Sequence, residues 1–190
     1  MDPTNWEIGP IIGSQNYSSG TPLHPLSDPA GWVINIPQPD SNAGHVNYVT
    51  TRYGSLSGKK RIVLNFRIEA DPSVKIVPTD SPDAPSILTI YFQRRGDDWS
   101  GSGIYEAFRW WATSRSLSPL TPGEYQITAQ LDEPWSAVQT STTLNNQPSF
   151  QSALADADRV GFTFGGGSGY GHGVYATGPT RFVVTNFRVE

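Results

Sequence analysis

Apolar and polar residues alternate strictly along several segments of this chain. In the segment 59–69 every second residue is apolar (Ile62, Leu64, Phe66 and Ile68). The same period of two recurs in the segments 87–93, 123–132 and 159–165. Because successive side chains of a β-strand point to opposite faces, each of these segments predicts a strand with one buried face.

The remaining strand candidates are shorter apolar segments. They lie at residues 5–8, 31–37, 45–53, 103–112 and 181–190. In the last of them the apolar parity changes after Val184, because Phe187 and Val189 fall on the opposite parity. That strand is therefore either buried on both faces or contains a β-bulge. About eight to ten short strands in all are enough for two packed sheets.

One short helix is predicted, at residues 148–157. Pro148 falls in its first turn, and Phe150, Leu154 and Ala157 share one stripe. This pattern is typical of a short helix that covers one end of a sandwich. The sequence therefore predicts an all-β fold: a two-sheet antiparallel β-sandwich of the jelly-roll type with one short helix.

We expect a single domain in which residues 31–190 form the jelly roll. Residues 1–30 are predicted to form an N-terminal strand and an extended arm, since the stretch 9–30 is rich in Gly, Pro, Ser and Asn and poor in alternation. Such a segment cannot build a core by itself. We expect the arm to lie on the body of the protein while contributing to a partner surface.

The composition narrows the possible functions. Cysteine is absent, which excludes a disulfide framework and a thiolate metal site. The net charge is -4 and the 13 Lys and Arg residues are scattered, so neither nucleic acid nor a membrane is an expected partner. The first thirty residues contain no basic n-region and no apolar h-region. Unless a signal was removed, this predicts a protein of the cytoplasm or of a virus particle.

The carboxylates do not form a catalytic pattern. Glycoside cleavage normally needs two carboxylates that face each other across the scissile bond. Asp97 and Asp98 are adjacent and would point to opposite faces of a strand, whereas Glu106, Asp132 and Glu133 belong to no alternating carboxylate string. We therefore predict that the protein is not an enzyme.

Histidines and glycines give two further candidate sites. His24, His45 and His172 are far apart in sequence and predict surface or turn residues, not a metal site. The glycine-rich run 165–173 lacks the Lys-Ser/Thr ending of a phosphate-binding loop. It is either a flexible hairpin loop or a place where something approaches the backbone closely, with His172 and Tyr175 beside it.

Aromatic and amide side chains on outward faces are the main functional candidates. If Ile104, Phe108 and Trp110 face the core, the residues between them form an outward row. The same parity argument applied to segments 87–93 and 123–132 completes the predicted carbohydrate-binding residues: Tyr91, Gln93, Tyr105, Arg109, Trp111, Gln126 and Gln130. Flat rings beside amides and a guanidinium suit a sugar, whose C–H faces stack on rings while its hydroxyls form hydrogen bonds. The alternative is that Trp110 and Trp111 are both buried in packing between the sheets and loops.

The order of elements from residue 133 onward carries a family resemblance. The segment EPWSAVQ (133–139) is followed by the helix around Phe150, by RVGFTFGGG (159–167) and by the closing strand RFVVTNFRVE (181–190). This order resembles the C-terminal half of galactose-binding-like jelly rolls, especially carbohydrate-binding modules. Some of these modules hold a calcium ion, but Asn186 stands where many carry an aspartate, so we expect no cofactor.

The resemblance implies two functions of different classes. One is a non-catalytic module whose partner is a polysaccharide or a cell-surface glycan. Similar domains also occur in phage virions, as capsid decoration or tail-associated attachment proteins, and their partners are capsid or tail proteins or further copies of themselves. Apolar turns such as PIIG (10–13) and PLHPL (22–26) suit such docking.

Overall fold

A computed structural model describes residues 1–139, 141–167 and 170–190. Short 3₁₀-helices occur at Pro3–Asn5, Gly103–Ala107 and Thr113–Arg115. The strands and the helix of the described residues are β1 (Trp6–Gly9), β2 (Ile11–Ile12), β3 (Gln15–Asn16), β4 (Leu26–Asp28), β5 (Gly31–Asn35), β6 (Tyr48–Arg52), β7 (Arg61–Ala70), β8 (Ile76–Pro78), β9 (Ser86–Arg94), β10 (Arg109–Trp111), β11 (Gly123–Gln130), β12 (Ser136–Ala137), α1 (Gln147–Ala155), β13 (Ala157–Gly166), β14 (Val174–Ala176) and β15 (Thr180–Val189).

Two antiparallel sheets form the body of the protein. The six-stranded sheet has the order β1-β6-β13-β9-β10-β12, and the five-stranded sheet has the order β11-β7-β15-β5-β4. Two short pairs, β14-β8 and β2-β3, complete the pairing of the described strands. The prediction of an all-β sandwich with one short helix is confirmed.

The core lies between the inner faces of the two sheets. Phe162 from the six-stranded sheet contacts Phe182 from the five-stranded sheet, with ring centroids 5.5 Å apart. Phe162 also stacks on Trp32 at 6.2 Å. All three side chains are fully buried, and each contributes about 1.5–3 kcal/mol through the apolar surface that it removes from water. Trp6 and Trp135 are buried as well.

A β-bulge resolves the change of parity in β15. Val184 pairs with Phe66, but the register against β7 shifts before Asn186. The extra residue returns Phe187 and Val189 to the side of the core, against which both pack. Of the two alternatives for this strand, the bulge is correct.

Helix α1 forms where the apolar stripe predicts it. Phe150, which is 1% exposed, lies with its ring centroid 4.9 Å from that of Trp110 and 5.7 Å from that of Phe92. Both partners belong to the inner face of the six-stranded sheet. The helix thereby covers the apolar side of β9 and β10.

The segment 103–112 is not one strand, and this part of the prediction is wrong. Residues Gly103–Ala107 form a 3₁₀-helix, and only the last three residues before Ala112 form a strand. Ile104 is 75% exposed instead of facing the core. Gly101 and Gly103 have φ angles of +62° and +59°, which turn the chain away from extended geometry just before this segment.

Residues 1–30 do more than form an arm. They supply β1 at one edge of the six-stranded sheet and β4 at one edge of the five-stranded sheet. The stretch between these strands lies on the body: the Ile8 amide donates to the Leu23 carbonyl at 2.8 Å, and the His45 amide donates to the Ser19 carbonyl at 2.9 Å. No helix in the described part of the chain is long and apolar enough to cross a membrane.

Candidate functional site

A second aromatic cluster lies on the outer face of the six-stranded sheet. Tyr48, Tyr91 and Trp111 are each at most 5% exposed, yet they do not belong to the core between the sheets. Alternation explains this placement, because their strand neighbours Val49 and Trp110 point inward and are fully buried. The sheet therefore presents a row of large rings on the side that faces away from the sandwich.

Loops cover this cluster and form a wall around it. The Trp99 ring meets the Tyr48 ring edge to face at 5.4 Å, and the Tyr48 ring meets the Tyr91 ring in the same way at 5.0 Å. The Tyr170 ring stacks on Trp111 at 5.8 Å with an interplanar angle of 30°. Such offset and edge contacts are the favoured geometries of aromatic pairs. They hold the rings in fixed orientations around an open space.

That open space is a cleft of about 510 Å³, within the usual size range of small-molecule sites. Its described lining residues come from the N-terminal stretch, the residues before β6 and its start, the loop after β9, β10, the end of β12 with the residues after it, and the glycine-rich loop. In this order they are Pro10, Ile12 and Tyr17; His45, Asn47 and Tyr48; Trp99; Arg109 and Trp111; Ala137, Val138 and Gln139; and Tyr170, Gly171 and His172. We refer to it below as the cleft.

An arginine and a buried carboxylate organise one wall of the cleft. Arg109 Nε and Asp97 Oδ2 form an ion pair at 2.9 Å, although the N–H group is not aligned for a hydrogen bond. Arg109 Nη2 donates a hydrogen bond to the Trp99 carbonyl at 3.1 Å. The Asp97 carboxylate is fully buried and also accepts from Gln93 Nε2 at 2.9 Å. Burial raises the pKa of Asp97, and the Arg109 charge opposes this rise. Asp97 thus serves to hold Arg109 and Trp99 in place.

The two tyrosines of the cluster remain neutral. Burial raises the pKa of Tyr48 to about 12, although the neighbouring Arg109 charge lowers it in part. Burial also raises the pKa of Tyr91 well above its ordinary value. At neutral pH both phenols can therefore donate and accept hydrogen bonds, but neither provides a phenolate as base or nucleophile.

Two cleft residues have strained backbone conformations. Trp99 has φ +68° and Gln139 has φ +62°, in the left-handed region that costs a residue with a side chain about 1–3 kcal/mol. The Trp99 amide donates to Asp97 Oδ1 at 3.1 Å, which helps to hold this conformation. Strain of this kind persists where the surroundings fix it, and it concentrates at binding sites.

The glycine-rich loop approaches the sheet closely. Gly171 and Gly173 have φ +79° and +93°, and a Cβ atom at either position would collide with the side chain of Tyr48 or of Asn47, respectively. The close approach to the backbone expected for the run 165–173 is thus present at Gly171 and Gly173, and the approaching groups are side chains of the protein itself. Residues 168 and 169 of this run lie outside the described residues.

The histidines separate into one structural residue and two cleft residues. His24 Nδ1 lies 2.6 Å from the Trp6 carbonyl, whereas His45 and His172 line the cleft. His172 Nδ1 is 3.7 Å from an Asp80 carboxylate oxygen. Among the described residues, no group of three or more His, Cys, Asp or Glu side chains could hold a metal ion.

Four of the seven predicted carbohydrate-binding residues share the outer face of the six-stranded sheet. Arg109 and Trp111 line the cleft. Tyr91 pairs with Trp111 and Gln93 pairs with Arg109 across β9 and β10. Tyr91 is 0% and Gln93 is 5% exposed, so these two lie beneath the cleft and support it.

The other three residues lie elsewhere, and the predicted common platform is wrong for them. Tyr105 belongs to the 3₁₀-helix at Gly103–Ala107 and packs against Phe108 at 5.0 Å. Gln126 and Gln130 alternate with buried residues on β11 as expected, but β11 belongs to the five-stranded sheet. Parity predicts the face on which a side chain lies, but it does not predict which sheet the strand joins.

Sequence reasoning missed several cleft residues. Tyr48 could have been found, because it has the opposite parity to Val49 in segment 45–53. Trp99 stands in a polar, glycine-rich turn, where a tryptophan has no regular strand to bury it. For Tyr170 the sequence contains no comparable signal, because its position depends on how the glycine-rich loop folds back.

No known protein-family model matches the chain, and no curated protein matches it. The chemistry of the cleft must therefore follow from its own residues. The described residues that line it include no carboxylate. Asp97 lies behind Arg109, and Glu133, one of the carboxylates weighed from the sequence, forms an ion pair with Arg115 away from the cleft.

Proposed function

We propose that the protein is a non-catalytic glycan-binding module and that its ligand lies in the cleft. The observation that carries this proposal is the set of fixed aromatic rings, Tyr48, Trp99, Trp111 and Tyr170, around an open space of about 510 Å³. Ring faces attract the C–H faces of sugars, and neighbouring polar groups bind the hydroxyls. Arg109 supplies such a polar group beside the rings.

Polar groups in and under the cleft support the same ligand chemistry. Asn47, Gln139, His45 and His172 offer amides and imidazoles, which both donate and accept hydrogen bonds as sugar hydroxyls do. Asn47 Oδ1 and Trp111 Nε1 are buried without a partner among the described residues. Buried polar atoms of this kind normally have a partner, which a bound ligand or an ordered water can supply.

The binding function is supported over catalysis by the position of the carboxylates. Glycosidases place two carboxylates across the scissile bond, whereas the described lining of the cleft holds none. The family resemblance to carbohydrate-binding modules agrees with this proposal.

A binding screen tests the proposed function. Neutral and acidic polysaccharides are titrated with tryptophan fluorescence and calorimetry as readouts. Trp111→Ala should weaken binding at least about tenfold, or ~1.4 kcal/mol, because it removes the buried ring on which Tyr170 stacks and so disrupts the aromatic wall of the cleft. Tyr170→Ala removes a ring at the rim with less effect on folding and should also weaken binding.

Gln126→Ala is the matched control, because this residue lies on the five-stranded sheet. Its affinity should equal that of the wild type, and near-ultraviolet circular dichroism should show that all variants are folded. Absence of binding to any glycan, or unchanged affinity in both aromatic variants, would contradict the proposal.

A second candidate function is a structural protein of a virus particle. Large apolar side chains of the N-terminal stretch are unusually exposed, namely Ile11 (38%), Tyr17 (43%), Leu23 (44%) and Leu26 (49%). Apolar surface of this kind favours docking on another protein. Sedimentation of the wild type and of Leu23→Ser should reveal association that the variant loses; a monomer at every concentration would argue against this candidate.

A further inference from the structure

Two further cavities continue the cleft along the outer face of the six-stranded sheet. The second cavity has a volume of about 130 Å³ and the third about 390 Å³. Trp99 lines both the cleft and the second cavity. Glu7 and Arg159 line both the second and the third cavity. The three cavities therefore adjoin one another, and we refer to this row of cavities as the groove.

The groove crosses the strands of the sheet instead of following them. Its aromatic end lies at Trp111 on β10, and its other end lies at Glu7 on β1. The cross-strand pairs between these ends run through one row: Trp111, Tyr91, Gly161, Thr50 and Glu7. Four strand spacings separate the two ends, which corresponds to ~19 Å. This length exceeds a single sugar ring several times and suits a chain of linked rings.

The charges along the groove are already paired with one another. The ion pairs are Arg109 with Asp97 at 2.9 Å, Arg159 with Glu7 at 2.8 Å, Arg52 with Asp158 at 3.4 Å and Arg94 with Asp156 at 3.4 Å. An acidic polymer therefore gains little attraction here, because each cation already faces an anion. A hydroxyl group suits the partly exposed pair of Arg159 with Glu7, since it donates to the carboxylate and accepts from the guanidinium.

We infer that the ligand is an extended, uncharged polysaccharide chain that crosses the six-stranded sheet from the cleft to the Arg159–Glu7 pair. This inference rests on the proposed glycan-binding function and adds the length and the charge of the ligand. The aromatic cleft holds one part of the chain by stacking. The polar end of the groove holds the hydroxyls of the sugars that follow.

Affinity as a function of chain length tests the inference. Cello-, xylo-, manno- and laminari-oligosaccharides, from the monosaccharide to the octasaccharide, are titrated by calorimetry. In the series that binds, affinity should rise at least about tenfold between the disaccharide and the hexasaccharide, as expected when one or two hydrogen bonds to charged groups are gained. The affinity should not change with salt, because the ligand carries no charge.

Two double variants locate the polar end of the groove. Glu7→Gln with Arg159→Met removes this ion pair without leaving a single charge and should abolish the gain for long chains while short chains bind as before. The matched control is Glu133→Gln with Arg115→Met, a comparable pair outside the groove, which should retain the gain. Trp111→Ala should weaken binding at every length.

The outcomes separate this inference from the proposed function. If binding depends on Trp111 but does not increase with chain length, the glycan-binding function stands and the extended groove is wrong. Stronger, salt-sensitive binding of alginate or polygalacturonate would overturn the uncharged ligand. Absence of binding to every glycan would overturn the proposed function and this inference with it.

Discussion

Gly171 shows how a single residue shapes the cleft. It has φ +79° and lies against the Tyr48 ring, so that a side chain there meets both an unfavourable backbone conformation and a collision. Gly58 has a similar φ of +77° but nothing within 4 Å of an added Cβ. A comparison of alanine substitutions at Gly58 and Gly171 therefore separates the cost of backbone strain from the cost of steric contact.

We predict that Gly171→Ala destabilises the protein more than Gly58→Ala does. Gly58→Ala should cost about 1–2 kcal/mol through the left-handed backbone alone. Gly171→Ala should cost about 1–3 kcal/mol more, as overpacking does, and it should also weaken glycan binding because the Tyr48 ring must move. Urea denaturation measures the stabilities. Equal losses in the two variants would show that the loop does not rest on Tyr48.

Tyr48 gives the protein a pH dependence in the alkaline range. Its folded pKa of about 12 lies above the ordinary tyrosine value of 10.0. Between these values the unfolded chain loses the phenolic proton while the folded protein keeps it, so stability falls as pH rises from 10 toward 12. The loss is on the order of 3 kcal/mol. Below pH 10 this contribution is fully present.

An ultraviolet titration of tyrosinate tests this effect. The wild type should show late ionisation that Tyr48→Phe reduces, and the variant should lose less stability between pH 10 and 12. The remaining late ionisation belongs to Tyr91, whose pKa is also raised well above its ordinary value by burial. If all eight tyrosines ionise together near pH 10 in the folded protein, the buried position of Tyr48 is wrong.

At the scale of elements, the N-terminal stretch depends on one buried hydroxyl. Ser18 is 2% exposed. Its Oγ donates a hydrogen bond to the Gly9 carbonyl and accepts one from the backbone amide of Asn47 at 2.8 Å. We therefore expect the wild type to resist proteinase K between Gly13 and Thr21. Ser18→Ala leaves both backbone groups without this partner, which costs about 1–3 kcal/mol, and should be cut in this stretch.

The neighbouring Ser19→Ala is the matched control, because Ser19 is exposed. It should resist the protease like the wild type. Rapid cutting of the wild type in this stretch would instead favour an arm that needs a partner to hold it.

The sequence predicts most long strands of this fold because alternation is a local property. Strand β7 and the inward residues of β11 follow directly from it. The sequence could not decide between a bulge near Val184 and a strand buried on both faces, since both arrangements bury the same residues. The strand predicted for segment 103–108 is wrong because glycine conformations override a short alternating pattern.

The candidate site was harder to predict than the strands. Arg109 and Trp111 were found because parity separates them from Trp110 on the same short strand. Gln126 and Gln130 were added wrongly, because sheet membership is set by pairing over long sequence distances. Tyr170 reaches the cleft only through the fold of its loop, and local pattern contains no information on that.

At the scale of the whole molecule, the first 28 residues supply one edge strand of each sheet. Strand β1 covers β6, and β4 covers β5. Long unpaired strand edges are templates for aggregation, and these two edge strands of only 4 and 3 residues limit that risk. The opposite edges are β12 in the six-stranded sheet and β11 in the five-stranded sheet.

In contrast to these edge strands, which come from the start of the chain, one interior strand of each sheet comes from its later part. Strand β13 (Ala157–Gly166) joins β6 to β9 in one sheet, and β15 (Thr180–Val189) joins β5 to β7 in the other. Both are made late in synthesis, when their partners have already been synthesised and can pair on one side only, with β1, β10, β4 or β11. Neither sheet can be assembled before these residues emerge, and contacts between such distant segments form slowly. We therefore expect the two sheets to be completed only after β15 has been translated.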